Sequence, residues 1–152
     1  MKVLFLHPYG SNFIKGLSDI TTIFNLMPPL GILSIAAWLK KNGVDVEIID
    51  GYASRESHEV MVDKIISSGC CAVGFSCTTS SFPETNRIAM LLKQKAPNLT
   101  TILGGAHSST IGADLLESYP AIDYLVIGEG ENTMLELTRA GFRNVENIPG
   151  VA

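Results

Sequence analysis

The amino-acid sequence predicts one α/β domain built on a doubly wound, five-stranded parallel sheet with helices on both faces. Short apolar segments bounded by turn formers alternate five times with segments of helical periodicity, which is typical of parallel strands joined by right-handed crossovers. The 152 residues, 46% of them hydrophobic, suffice for one core covered on both sides. We expect the strand order 2-1-3-4-5, the commoner doubly wound arrangement for five strands.

The predicted strands are apolar runs that stop at glycine, proline or polar residues. They span residues 2–6, 44–49, 71–77, 101–103 and 123–127. A first helix begins after Pro28-Pro29 and ends at Gly43, in keeping with the preferences of proline and glycine for those positions. Further helices are expected over residues 56–68, 83–96 and 111–118, and after Glu131 through Arg139. The long connection from residue 7 to 28 is a functional loop, a flap or a short helix over the sheet.

Composition excludes several classes of function. The net charge is -4, and no Lys/Arg cluster exceeds Lys40-Lys41, so a nucleic-acid surface is not expected. The apolar run of residues 26–39 is interrupted by two prolines and a glycine and is shorter than a membrane span. Three cysteines without C-x-x-C spacing give neither a disulfide framework nor a zinc motif, which favours a cytoplasmic protein.

Two neighbouring strand ends are predicted to form a slot. Gly104 and Gly105 follow the fourth strand, where a backbone without side chains allows a close approach. Hydroxyl side chains follow the third strand at Ser76 and at residues 78–81, although one of them is needed to cap the next helix. In an open parallel sheet, ligands bind outside the carboxyl ends of the strands. Such a slot suits a flat, polar-edged heterocycle.

Dinucleotide and phosphate-loop patterns are missing. The one G-x-G run, Gly128-Glu-Gly130, follows the fifth strand and lacks the third glycine. Its neighbouring carboxylates, Glu129 and Glu131, either complement the positive end of the last helix or contact a ligand.

Two other classes of function remain open. His7, Cys77 and His107 end three strands that are adjacent in the predicted order, and these are ligand types of a catalytic zinc site or of a thiol nucleophile with its base. A small metal- or thiol-dependent enzyme is therefore one alternative. A ligand-free interaction domain is the other.

The chain resembles the N-terminal cobalamin-binding domain of cobalamin-dependent radical S-adenosylmethionine proteins, a group of methylases that also includes the anaerobic oxidative cyclase of magnesium-protoporphyrin monomethyl ester. The likeness covers nearly the whole chain, and the order and spacing of its motifs carry it. These motifs are Pro28-Pro-Leu-Gly-Ile-Leu33 with Ala36-Ala-Trp-Leu-Lys40 and Gly43, Val46-Glu-Ile-Ile-Asp50, Val73-Gly-Phe-Ser-Cys-Thr78, Leu103-Gly-Gly-Ala-His107, and Asp123-Tyr-Leu-Val-Ile-Gly-Glu-Gly-Glu131.

The resemblance implies a Rossmann-like or flavodoxin-like sheet and a cobalamin site at its carboxyl edge. Ser76-Cys-Thr78 and Gly104-Gly105 match the S-x-L and G-G elements that hold the nucleotide tail in the wider family. The corrin would lie across the strand ends, with its dimethylbenzimidazole tail in a slot lined by Ser76, Thr78 and Gly104. The residues expected to bind the cofactor are Ser76, Cys77, Thr78, Thr79, Gly104, Gly105, His107, Gly128, Glu129 and Gly130. None is expected to be catalytic or to bind a metal.

One motif departs from the cobalamin family. The methionine-synthase type carries D-x-H-x-x-G after the first strand, and its histidine coordinates cobalt. Here His7-Pro-Tyr-Gly10 matches H-x-x-G, but Phe5 replaces the aspartate that would orient the imidazole. We therefore expect no protein histidine on cobalt.

The resemblance also implies a division of labour. No C-x-x-x-C-x-x-C run for an iron–sulfur cluster occurs in the sequence. We expect residues 1–146 to form the cobalamin-binding domain and residues 147–152 to begin a linker to a C-terminal radical domain. That domain would be the partner of this one and would supply the [4Fe-4S] cluster, S-adenosylmethionine and the methyl-transfer or oxidative-cyclisation chemistry.

Overall fold

The computed structural model describes residues 1–9, 28–54 and 56–152. Five strands form one parallel sheet in the order β2-β1-β3-β4-β5. The strands are β1 Lys2–His7, β2 Asp45–Asp50, β3 Ala72–Ser76, β4 Thr100–Gly104 and β5 Tyr124–Leu125. The predicted fold class and strand order are confirmed. The predicted connection after β1 falls largely on residues 10–27, outside the described residues.

Helices cover both faces of this sheet. They are α1 Leu30–Lys41, α2 Gly51–Ser54, α3 His58–Ser67, α4 Phe82–Lys95, α5 Ala106–Ile111, α6 Asp114–Ser118 and α7 Gly130–Arg139. Local chemistry explains two of the starts: the Ser57 hydroxyl accepts a hydrogen bond from the Val60 N–H, and Pro83 stands in the first turn of α4. No helix in the described part of the chain is long and apolar enough to cross a membrane.

The predicted single helix over residues 111–118 is wrong. The chain instead forms two short helices, α5 and α6, separated at Gly112. Gly112 has a φ of 76° and a ψ of -159°, a backbone conformation that residues with a Cβ rarely adopt. This conformation ends α5. The helical residues begin at Ala106, directly after the double glycine and five residues before the predicted start.

Alternation along the strands divides the core into two clusters. Val3, Phe5 and Ile102 point to the face covered by α1 and α7, where they pack with Ile32 and Met134. Leu4, Leu6, Phe75 and Leu103 point to the opposite face and pack with α3 and α4. Because strands buried on both faces need no polar side, each reads as a continuous apolar run in the sequence.

The last residues of the chain add an antiparallel segment to the sheet edge. Leu125 N–H donates to the Ala152 carbonyl at 2.8 Å, and Ile127 N–H donates to the Gly150 carbonyl at 2.8 Å. Val151 packs against the cluster under α1 and α7. Residues 150–152 therefore belong to the folded domain, and the linker role predicted for residues 147–152 stays a prediction.

Candidate functional site

A cavity of about 150 Å³ opens at the carboxyl edge of the sheet, on the face covered by α1 and α7. Its sheet side comes from β1, β3 and β4, and its helix sides come from the first turns of α1 and α7. The lining residues are Phe5, Gly31, Ile32, Ile35, Gly74, Phe75, Ser76, Ile102, Gly104, Gly105, Val126, Gly128, Glu129, Gly130, Glu131 and Met134.

Strand register arranges the sheet side of the cavity in two rows. Phe5, Gly74 and Ile102 are aligned across β1, β3 and β4 and form the deeper row. Ser76 and Gly104 are aligned two residues closer to the carboxyl edge and form the upper row. A ligand that enters from the carboxyl edge of the sheet therefore passes Ser76 and Gly104 first. It then reaches Phe5, Gly74 and Ile102, which have no polar side-chain atoms.

The two glycines of the predicted slot differ in what surrounds them. A Cβ on Gly104 would make ordinary van der Waals contacts, with Val126 at 3.8 Å and the Phe75 carbonyl at 3.9 Å, so a small side chain would fit there without a clash. A Cβ on Gly105 would lie 2.6 Å from the Cys77 carbonyl oxygen, and Gly105 has a φ of 100°. Gly104 therefore creates room in the cavity, whereas Gly105 permits the close approach of the chain behind β3.

The residues at the start of α7 form one side of the cavity entrance. Gly128, Glu129 and Gly130 line it as a single segment. A Cβ on Gly130 would lie 2.6 Å from Ile35 Cδ1, so this glycine lets α7 approach α1 closely. The Ser34 hydroxyl donates to Glu131 Oε1 at 2.5 Å and joins the two helices at the same point.

Of the hydroxyl residues at and after the end of β3, one, Ser76, lines the cavity. Thr78 Oγ1 lies 2.9 Å from Ser80 Oγ, and the Ser81 hydroxyl accepts from the Thr78 N–H at 3.0 Å. These hydroxyls thus satisfy one another and the backbone in the turn that leads to α4. Thr78 and Thr79 are exposed beside the cavity without lining it. Their predicted contact with a cofactor stays a prediction.

Cys77 and His107 lie on the opposite side of the sheet from the cavity. Cys77 is buried in the cluster with Phe75 and Phe82, and burial raises the pKa of its thiol to about 12. His107 is 5% exposed, its ring centroid lies 4.2 Å from that of Phe82, and its Nδ1 lies 3.2 Å from Thr79 Oγ1. A thiol protonated at neutral pH does not act as a nucleophile. A cofactor contact by either residue stays a prediction.

His7 ends β1 outside the cavity lining. Its ring packs against Tyr52 with centroids 5.1 Å apart, and burial lowers its pKa, partly opposed by Asp50. His7 Nδ1 lies 3.6 Å from Asp50 Oδ1, too far for a hydrogen bond. Asp50 Oδ1 instead accepts the N–H groups of Tyr52 and Ala53. In the described part of the chain, no three His, Cys, Asp or Glu side chains come close enough to hold a metal ion.

A second polar cluster at this edge was not expected from the sequence. Tyr9 and His58 stack with parallel rings, and the Tyr9 hydroxyl lies 3.1 Å from His58 Nε2. The same nitrogen lies 2.7 Å from Glu84 Oε2. Burial and Glu84 raise the pKa of Tyr9. The cluster joins the chain after β1 to the first turns of α3 and α4, on the face opposite the cavity.

Sequence reasoning missed most of the cavity wall. Phe5, Gly74, Ile102, Val126 and Met134 line it. The available signal was the two-residue period of β3, which puts Ala72, Gly74 and Ser76 on one face and Cys77 on the other. A largely apolar cavity with one hydroxyl, Ser76, and two carboxylates, Glu129 and Glu131, can hold a small planar ring group. Among the described lining residues, no hydrogen bond joins Ser76 to a carboxylate that could act as its base.

Comparison with known proteins identifies the family of this chain. A model of the B12 binding domain family matches residues 16–138. An anaerobic magnesium-protoporphyrin IX monomethyl ester cyclase from Rubrivivax gelatinosus is 32% identical over 141 residues, which are 92% of this chain and 24% of that protein. A hopanoid C-3 methylase from Methylococcus capsulatus is 29% identical over 155 residues, 99% of this chain and 28% of that protein.

Solved structures show the same fold. The radical S-adenosylmethionine methyltransferase TsrM from Kitasatospora setae superposes with a TM-score of 0.77 at 21% identity, over 99% of this chain and 28% of that one. The cobalamin-dependent radical enzyme OxsB gives a TM-score of 0.72 at 16% identity. The chain spans about a quarter of the length of the curated relatives it matches. The resemblance stated from the motifs is confirmed, and the chain belongs to the B12-binding domain family.

Proposed function

We propose that this chain is the cobalamin-binding domain of a longer radical S-adenosylmethionine enzyme and that it holds the nucleotide tail of cobalamin in the cavity between α1 and α7. The observation that carries the proposal is that Gly104 lines the cavity at a strand end and has no side chain to occupy it. The glycine supports a ligand that binds inside the cavity, because most other residues at this strand end would fill part of the cavity with a side chain. An apolar cavity of about 150 Å³ is the size that accepts a benzene-like ring.

The residues fit the tail of the cofactor in three ways. Phe5, Ile102 and Met134 offer apolar contacts to a flat aromatic base. Ser76 stands in the upper row, where it would meet the more polar part of the tail. The cavity opens at the carboxyl edge of the strands, so a corrin attached to the tail would lie over that edge, next to Thr78 and Thr79.

Bound cobalamin would supply a cobalt centre able to carry a methyl group or an electron. We propose that His7 does not coordinate this cobalt. Three observations support that: Phe5 replaces the expected aspartate, Tyr52 packs on the His7 ring, and the nearby Asp50 carboxylate is engaged with backbone N–H groups. An imidazole that coordinates a metal normally donates its second N–H to a partner within hydrogen-bond distance.

The catalytic partner is part of the proposal. The curated relatives are longer than this chain, and their printed names include a cyclase and a methylase. We infer that a C-terminal radical domain supplies the [4Fe-4S] cluster and S-adenosylmethionine, and that the reaction is methyl transfer or oxidative cyclisation in the cytoplasm. Leu30 and Leu33, which are 68% and 40% exposed beside the cavity mouth, support an apolar contact with that domain.

Binding of hydroxocobalamin tests the cavity directly. The chain should retain the chromophore in gel filtration, and Gly104→Leu should weaken the affinity by about tenfold or more, because the leucine side chain occupies the cavity. Ala37→Leu is the matched control: it adds the same side chain on the exposed side of α1, outside the cavity. Equal affinity of the wild type and Gly104→Leu would refute the tail position.

Electron paramagnetic resonance of the cobalt(II) complex tests the absence of a histidine ligand. We expect no nitrogen hyperfine splitting on the cobalt signal, and the same spectrum for His7→Ala. A splitting that disappears in His7→Ala would show that His7 is a cobalt ligand.

A further inference from the structure

We propose that the cavity selects among corrinoids by the chemistry of the base that ends their tail, accepting an apolar benzimidazole and discriminating against a purine such as adenine. This inference rests on the proposed tail position and adds the ligand class. Its basis is the position of the polar side chains around the cavity. They are found near the entrance, and the residues deeper in the cavity are apolar.

Among the described residues, those that line the deeper part of the cavity carry no side-chain hydrogen-bonding group. Its walls are Phe5, Gly74, Ile102, Val126 and Met134. The nearby Val126 carbonyl already accepts a hydrogen bond from the Ser108 hydroxyl at 3.2 Å. A purine carries ring nitrogens and an exocyclic amine on its far edge, and these would be buried against carbon atoms.

The lining residues with polar side chains, within the part of the chain that the structure describes, are Ser76, Glu129 and Glu131, at the carboxyl edge of β3 and the start of α7. Ser76 is in the upper row of the sheet side. Glu131 is held by the Ser34 hydroxyl, and Glu129 is exposed.

Among the described residues, no buried side-chain N or O atom without a hydrogen-bond partner lines the cavity. In the described part of the chain, the buried side-chain N and O atoms without a hydrogen-bond partner belong to His7, Trp38, Glu56 and His107. None of these residues lines the cavity. A site built to recognise a purine edge would present such a group, because a buried polar atom of the ligand needs a partner.

The size of the expected discrimination follows from that missing partner. Leaving one polar group of a ligand buried and unpaired lowers affinity by about tenfold or more. A benzimidazole carries methyl groups on the corresponding edge, so it loses no hydrogen bond on entering. Cobinamide, which lacks the tail altogether, lacks the contacts with the cavity and should also bind at least about tenfold more weakly than cobalamin.

The test compares the affinity of the chain for cobalamin, an adenine-tailed corrinoid and cobinamide. All three are held in the cobalt(I) state under oxygen-free conditions, because cobalt then binds no axial base and the tail is free in each ligand. We expect cobalamin to bind most tightly and both other corrinoids to bind at least about tenfold more weakly.

Each other outcome has its own meaning. Equal affinity for the benzimidazole and adenine tails, both tighter than cobinamide, would overturn the selectivity and leave the tail position intact. Equal affinity for all three would refute the tail position, and no binding of any would refute the proposed function as well.

Two variants test the cause of the discrimination. Val126→Thr exchanges a methyl group for a hydroxyl in the cavity wall and should reduce the preference for the benzimidazole tail. Val46→Thr makes the same exchange at a buried position outside the cavity and should leave the ratio unchanged. An unchanged ratio in Val126→Thr would show that the discrimination has another cause, and the inference would be wrong.

Discussion

At the residue scale, the adjacent glycines Gly104 and Gly105 have different structural roles, and substituting each by alanine should have different effects on stability. Gly105→Ala places a Cβ 2.6 Å from the Cys77 carbonyl at a φ of 100°, and we expect it to destabilise the fold by about 2 kcal/mol or more. Gly104→Ala meets only ordinary contacts and should change stability by less than about 1 kcal/mol. Urea denaturation of both variants measures this. Equal losses would contradict the assignment.

Buried histidines should make the fold less stable in mild acid. Burial lowers the pKa of His107 below its ordinary value of 6.5, so at pH values near and below 6.5 the unfolded chain binds more protons than the folded one. The free energy of unfolding should therefore fall as the pH drops from about 7.5 to about 5.5. His7, whose pKa is also lowered, contributes in the same direction.

Chemical denaturation across this pH range measures the effect. His107→Gln should flatten the pH dependence, although it also removes the packing against Phe82 and lowers stability at neutral pH. The slope, rather than the absolute stability, is therefore the decisive quantity. A slope identical to that of the wild type would show that His107 does not titrate differently in the folded state.

Residue-level reasoning predicted the mouth of the site better than its interior. The glycine pair and Ser76 are conspicuous in the sequence because they interrupt apolar strands, and Gly104, Gly105 and Ser76 do line the cavity. Cys77 was expected at the same slot, but one residue of strand alternation sends its side chain to the opposite face. Phe5 and Ile102 look like ordinary core residues, and only the register across strands reveals that they border a cavity.

At the element scale, the cavity depends on how closely α7 approaches α1. Gly130→Ala puts a Cβ 2.6 Å from Ile35 Cδ1, so we expect the Ile35 side chain to rotate or the helices to separate. The overpacking should cost about 1–2 kcal/mol, partly offset by the better helix propensity of alanine. Because Ile35 lines the cavity, cobalamin affinity should also fall.

A double-mutant cycle isolates that contact. Ile35→Val removes the Cδ1 atom, so Gly130→Ala should be less destabilising in the Ile35→Val background by about 1 kcal/mol. The propensity gain of alanine is the same in both backgrounds and cancels. Additive effects would show that the approach of α7 to α1 is not limited by this pair.

Most helices were predictable because residues with known positional preferences, such as proline and serine, mark where they begin. Pro28-Pro29 precedes α1, Ser57 caps α3, and Pro83 opens α4. The segment after β4 was not predictable in the same way. Its glycine at position 112 follows an apolar residue inside an otherwise helical pattern, and only the backbone conformation shows that it ends one helix before the next begins.

At the scale of the whole molecule, a general rule predicted the order of the strands. No rule predicted that residues 150–152 pair with the edge of the sheet at β5. Alternating strands and helices demand a parallel sheet, and the order 2-1-3-4-5 then places the ends of β1, β3 and β4 side by side. The antiparallel pairing of residues 150–152 with the β5 edge has no comparable sequence signal. It depends on backbone hydrogen bonds, which any residue except proline can donate.

That pairing makes the final residues part of the stability of the domain. A chain ending at Glu146 loses four hydrogen bonds to the rest of the domain: the reciprocal pair between Leu125 and Ala152, the bond from the Ile127 N–H to the Gly150 carbonyl, and the bond from the Thr133 hydroxyl to the Pro149 carbonyl. It also loses the apolar contacts of Val151. At about 1 kcal/mol per hydrogen bond, we expect the free energy of unfolding to fall by about 4 kcal/mol. Thermal and urea denaturation measure the loss, with the exposed-site variant Asn147→Ala as the control. If truncation left stability unchanged, residues 147–152 would be the start of a linker, whereas the expected loss would make them the edge that closes the sheet before any following domain begins.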